Sequence, residues 1–429
     1  MKKTLLIIGY VWPEPNSSAA GTRMMQLIKL FQAKDWQITF ASPSKLGDHR
    51  LDLTQLGITE QNIELNNQSF DDFLAKLQPN AVMFDRFMME EQFSWRVEKY
   101  APDAVRILNT EDLHSLREAR QQQLKALQKQ ENASLEVLWN QSSTNLFNLM
   151  AKLDLAQREI ASILRCDLTL MISKFETELL QKAFKIDPAL LMTLPFVYQE
   201  VKSPLPNFDQ RQHFVFIGNF RHAPNWDSVL WLKENIWPEI RKQVPLAELH
   251  IYGAYPAKKV TNLHNPKQGF IVKGWAEDAF KVISNARLLL APLRFGAGIK
   301  GKLAEAMLCG TPSITTPVGS EAMLPESSSN LDWPGYIGET EKNLIKHAVE
   351  LYQDSKLWNQ AQQQGLELGN QQYQQTQLSE EFIEKLSDIQ NNLERHRQQN
   401  FMGSMLRHHH HKSTQYMAQW IEAKNRKLD

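Results

Sequence analysis

Short, nearly uninterrupted apolar runs recur along the chain, each followed by a polar stretch with helical spacing. Thr4 to Tyr10, Gln37 to Ser42, Ala81 to Asp85, Ala104 to Thr110 and Leu168 to Ser173 read as strands. Runs of this kind suit a parallel sheet covered on both faces, because alternation disappears when neither face meets water. Gly21 to Ala33 and Ser69 to Leu77 predict intervening helices. Leu116 to Ser162 is rich in Gln, Glu, Lys and Arg, with Leu, Trp and Phe at helical spacing. It predicts two helices that elaborate this half, most of their residues solvated.

A second series follows: strands at His213 to Gly218, Glu248 to Gly253, Phe270 to Lys273 and Leu288 to Pro292, and helices at Asn225 to Val244 and Asp278 to Asn285. Between the two series, Pro195 to Gln212 carries Pro204 and Pro206 with little periodicity and reads as a linker. The expectation is an α/β chain of two facing Rossmann-like domains, residues 1–200 and 212–395, with ligands held in a cleft at the carboxyl ends of the strands. Glu339 to about Asn392 predicts glutamine-rich helices, and residues 400–429 predict a last helix with Tyr416, Met417, Trp420 and Ile421 at helical spacing. His408 to His411 are consecutive, so they point around that helix instead of converging, and no metal site is expected there. An amphipathic sequence continues after them, unlike an appended tag.

Composition narrows the function. Among 429 residues, 48 Lys plus Arg balance 48 Asp plus Glu, which excludes a global basic field for nucleic acid. Cys166 and Cys309 lack metal or CxxC spacing and predict buried free thiols in a reducing compartment. The opening MKKTLLIIGYVWPEP holds an apolar run of only a strand's length with no cleavage pattern, and no run reaches membrane-spanning length. These features predict a cytoplasmic protein.

The densest chemistry lies in Leu288 to Glu321, LLLAPLRFGAGIKGKLAEAMLCGTPSITTPVGSE. Gly296, Gly298 and Gly301 let the backbone approach a ligand, and Lys300 and Lys302 add cations beside the amides of a helix start. The helix is expected to open at Glu305 and Ala306 and end at Gly310, leading to a strand at Ser313 to Thr316. Gly296-Ala297-Gly298-Ile299-Lys300-Gly301 also spells the dinucleotide fingerprint, with Glu321 about twenty residues on as a ribose acid. Against that reading, Pro292 to Phe295 separate strand from glycine, and Glu321 lies past the next strand. A nucleotide-sugar diphosphate is favoured, and an NAD-dependent oxidoreductase stays as the rival.

Phe216 to Met323, through FIGNFRHAPNWDSVLWL, AELHIYG and the strand, loop and EAM-x-x-G-x-P core just described, resembles the family-4-type retaining nucleotide-sugar glycosyltransferases of GT-B fold. The first half resembles them more loosely through TLLIIGYVWPEPNSSAAGTR and ILNTEDLHSLREAR. The resemblance implies a GT-B fold whose last helix crosses back to the first domain, and sugar transfer to an acceptor hydroxyl without a metal or other cofactor. It implies a ribose role for Glu305, and puts Ala297 where the family's first motif glutamate would contact the donor sugar. Amides of Ala297 to Gly301, with Ile299 among them, and the cations Lys300, Lys302 and Arg221 would then bind the diphosphate. His114, beside Asp112, would face the donor across the cleft, and Gly21 would line the first strand-to-helix turn. A glycan, a lipid-linked glycan or a protein is the implied acceptor, with contact at the inner membrane face as a further expectation. Ala297 also motivates a second alternative, a non-catalytic nucleotide-binding or partner protein.

Overall fold

Two parallel sheets carry the chain. The computed structural model describes residues 2–130, 134–198, 204–325, 332–373 and 377–425. The first sheet has seven strands: β1 (Thr4–Ile8), β2 (Gln37–Ser42), β3 (Thr59–Asn62), β4 (Ala81–Asp85), β5 (Val105–Asn109), β6 (Leu168–Met171) and β7 (Leu191–Thr193), in the spatial order β3-β2-β1-β4-β5-β6-β7. The second has six: β8 (Gln212–Ile217), β9 (Leu249–Tyr252), β10 (Phe270–Gly274), β11 (Ala286–Ala291), β12 (Ser313–Thr315) and β13 (Gly335–Ile337), in the order β10-β9-β8-β11-β12-β13. Every pair of these strands is parallel, and β4 and β5 are buried along their whole length, as their apolar sequences predict.

Three strands escape the hydrophobic pattern. β3 reads TEQN and runs along one edge of the first sheet; β7 and β13 are three residues long and close the other edge of that sheet and one edge of the second. An edge strand needs apolar residues on fewer sides, so its sequence carries little signal. The insertion forms four helices, His114–Leu127, Glu136–Trp139, Ser143–Met150 and Asp154–Arg165, instead of two. The Asn225 to Val244 helix is broken by a π-turn at Leu232–Ile236 just before Pro238, whose missing N–H cannot continue the hydrogen-bond ladder.

The last helix, Phe401–Asn425, packs on the first domain's helices Phe87–Tyr100 and Asp154–Arg165. The chain thus returns to its first domain after building the second. Arg397 fixes the approach by reaching the buried Asp167 at 2.9 and 2.8 Å and the Pro102 and Ala104 carbonyls.

Candidate functional site

The carboxyl ends of both sheets face one cleft of about 740 Å³. Two helix starts meet there. Helix Ala19–Gln32 is capped by Ser18, whose hydroxyl accepts the Gly21 amide at 3.0 Å. A Cβ on Gly21 would fall 2.3 Å from the Glu14 carbonyl oxygen, so only glycine fits this turn. Opposite it, helix Gly301–Leu308 begins with Lys300 at its N-cap and no side chain on its first amides. A Cβ on Gly301 would come within 2.9 Å of Ala19 Cβ. Two positive helix poles therefore converge, which suits a polyanion.

The helix starts at Gly301, not Glu305, which moves Glu305 from the first turn to the second. There its carboxyl is pushed up to about 7 by burial, against the pull of the Tyr198 hydroxyl at 3.4 Å and of Lys302. Lys302 Nζ donates to Asn225 Oδ1 at 2.6 Å and sits 4.1 Å over the Phe216 ring. Lys300 Nζ donates to the Gly298 carbonyl at 2.7 Å. Burial lowers the two ammonium groups to about 8 for Lys300 and about 7 for Lys302. An anion beside these two lysines would raise both values, because it favours the charged form that burial disfavours.

The glycine loop is anchored on the first domain. Gly298 adopts φ +65°, and its amide donates to Glu176 Oε1 at 2.7 Å. Ala297 packs into the first domain's apolar cluster. Arg120 grips the loop from behind, donating to the Gly296 carbonyl at 2.9 Å and to both oxygens of Glu321 at 3.0 and 2.6 Å.

The first domain's wall is built where β5 ends. Burial lowers His114 to about 4 despite Asp112, whose Oδ1 is 3.5 Å from its Nε2, so the imidazole is neutral. Burial raises the Asp112 carboxyl, but Arg117, His114 and His222 together pull it below the usual carboxylate range. Glu159 accepts the amides of His114 and Ser115 at 2.9 and 3.0 Å, capping a helix start that Leu113 cannot cap. Glu111 turns through φ +65°, and burial beside Asp85 pushes its carboxyl up to about 8.

Of the residues singled out in the sequence, Gly21, Asp112, His114, Arg221, Gly296, Ala297, Ile299, Lys300, Gly301, Lys302 and Glu305 line the cleft. Gly298 and Glu321 stand behind its wall instead: Gly298 is turned onto Glu176, and Glu321 is neutralised by Arg120. Arg221 is exposed and lies 3.5 Å over the Tyr255 ring, whose hydroxyl reaches Glu14 at 2.7 Å. Arg120, Glu176 and Tyr198 were not legible as site residues, because each meets a partner far along the chain; Glu111 instead accepts from Asn109 of its own stretch at 2.7 Å. Among the described residues, the groups that could hold a metal are His213, Glu248 and His250, at the opposite ends of β8 and β9 from the cleft. The Glu248 amide already donates to His213 Nδ1 at 3.2 Å, and Lys273 and Arg241 add positive charge beside that ring. The trio reads as a charge cluster.

Residues 211–354 match the family described as glycosyl transferases group 1. No curated protein matches the chain in sequence. Solved structures match over nearly the whole length at low identity. TarM of S. aureus, in complex with UDP among other ligands, is 11% identical with a TM-score of 0.63, covering 91% of this chain and 100% of its own. HepE of Anabaena, with UDP and glucose, is 13% identical with a TM-score of 0.61, covering 89% and 99%. WaaG, a glycosyltransferase involved in lipopolysaccharide biosynthesis, is 14% identical with a TM-score of 0.58, covering 88% and 98%. Residues 211–354 are therefore a group 1 glycosyl transferase domain within a GT-B fold, and the protein is a glycosyltransferase.

Proposed function

We propose that the enzyme transfers a sugar, with retention, from a nucleoside diphosphate sugar to an acceptor hydroxyl in bacterial glycan or glycoconjugate synthesis. The observation that carries this reading is the convergence of Lys300, Lys302 and Glu305 beside two facing helix starts on one cleft. The lysines and the uncapped amides of Gly301–Leu308 would take the diphosphate and stabilise the charge that develops as it leaves. Glu305 would accept the ribose hydroxyls. UDP in the TarM and HepE structures supports the donor class, and the WaaG description supports the bacterial setting.

Position 297 bears a methyl group, so no carboxylate there can act as a nucleophile or hold the sugar. Same-face attack, in which the departing phosphate takes the acceptor proton, needs none. His114, neutral at pH 7, and the anionic Asp112 would orient donor and acceptor from the first domain. A closed cleft excludes water and limits donor hydrolysis. No metal or other cofactor enters this scheme.

A thermal-shift screen of UDP, GDP, ADP and dTDP, followed by their sugars, tests it. One diphosphate should stabilise the protein, and one of its sugars should be turned over with the anomeric configuration kept. Stabilisation by NAD alone would replace this reading with an oxidoreductase. Binding of a nucleoside diphosphate without release from any donor would favour the non-catalytic alternative that Ala297 suggests.

A further inference from the structure

The last helix has two unlike faces. Gly403, Arg407, His411 and Ala418 are buried against the first domain. A Cβ on Gly403 would fall 2.0 Å from the Leu164 carbonyl oxygen, His411 holds Ser94 at 2.9 Å and Glu98, and Arg407 is 3.7 Å from Glu98. The opposite stripe, at spacings of three, four and seven, is Met402, Met405, His409, Lys412, Tyr416 and Trp420. Tyr416 is 68% exposed and Trp420 61%, and Phe401 and Met417 lie exposed at the edges.

We propose that this free face docks on an anionic lipid bilayer. Large apolar groups in such a row cost free energy in water and need a cover. Cations choose the cover: Lys412 and Lys424 are both exposed on this helix. The only acid of the described helix is Glu422, which is half-buried. Trp and Tyr rings settle at the headgroup level while lysines reach the phosphates, so apolar and basic groups are satisfied by one surface. A second copy of the chain fits less well, because a two-fold pairing of this stripe would bring Lys412 up against its own copy. No described helix is long and apolar enough to cross a membrane, so the contact is peripheral.

The test is co-sedimentation of the full chain with phosphatidylcholine vesicles, with or without about a third phosphatidylglycerol. Anionic vesicles should bind roughly tenfold more strongly or better, less so in high salt. The double variant Tyr416→Ser, Trp420→Ser should lose most of this binding. The double variant Lys412→Glu, Lys424→Glu should lose the preference for anionic lipid. Both variants should keep the wild-type circular dichroism, since neither alters the docked face. Wild-type protein left in the supernatant, equal binding to both vesicle types, or variants that bind like wild type would overturn the proposal. A dimer that Trp420→Ser dissociates, with no vesicle binding, would overturn it in favour of a second copy.

Discussion

Glu176 of the first domain accepts the Gly298 amide of the second at 2.7 Å, one residue from the methyl group of Ala297. Burial and the neighbouring Asp112, against the pull of the Gly298 amide, push the Glu176 carboxyl up to about 8. It therefore carries a proton at neutral pH. A glutamate at 297 would enter an apolar cluster beside these two acids, so a carboxylate from the other domain and alanine at 297 fit together as a pair.

Substitution of Glu176 should separate its shape from its charge. Glu176→Gln keeps an oxygen for the Gly298 amide and should leave stability and nucleotide affinity nearly unchanged. Glu176→Ala strands a buried N–H, at a cost of about 1–3 kcal/mol in denaturant unfolding. Ala297→Glu alone should destabilise by a similar amount or more, and adding Glu176→Ala should recover part of that loss in a double-mutant cycle.

Nucleoside diphosphate affinity should be bell-shaped in pH. Glu305 must be ionised to accept ribose hydroxyls, and its carboxyl titrates at about 7, so affinity rises as pH climbs toward 7. Lys302 and Lys300 lose their protons at about 7 and about 8 in the free protein, and a bound diphosphate raises both values. Binding above pH 7 should take up protons, and affinity should fall from pH 7 to 9. Calorimetry in buffers of different ionisation enthalpy reads this uptake, and Lys302→Arg should flatten the alkaline limb because arginine does not titrate there.

Glu321 and Glu305 are distinguished by a sugar test. Glu305→Ala should weaken the ribonucleoside diphosphate roughly tenfold or more and abolish its advantage over the 2′-deoxy form. Glu321→Gln should leave that preference intact, since its carboxylate faces Arg120. If Glu321→Gln erases the preference, the dinucleotide reading of the loop gains.

Arg120→Ala should act on stability first. It leaves the Glu321 carboxylate and the Gly296 carbonyl without their partner, at a cost of about 3–5 kcal/mol in chemical unfolding. Arg120→Ala with Glu321→Ala should recover much of it.

The sheet cores were legible because continuous apolar strands such as Ala81–Asp85 need no partner to be recognised. The glycine-rich loop was legible as a cleft element because glycine and lysine are rarely clustered for packing alone. Its helix start was placed four residues late, because the pattern of Leu303, Ala304 and Ala306 does not show that Lys300 is already in the cap position. The pairs Glu176 with Gly298 and Arg120 with Glu321 join residues 122 and 201 positions apart. Nothing local in the chain encodes them; they follow from how the two sheets face one another. Arg221 could be expected at the cleft but not its stacking on Tyr255, for the same reason.

Tyr198 touches both ends of one transmission line. Its hydroxyl reaches Glu305, while its backbone amide donates to the Tyr373 carbonyl at 2.7 Å, tying together the outgoing and returning crossings between the domains. Glu305 is thus one phenol ring away from the place where the two crossings meet. On the proposed reading, a donor held by Glu305 would bear on that junction directly, linking occupancy of the cleft to the angle between the two halves.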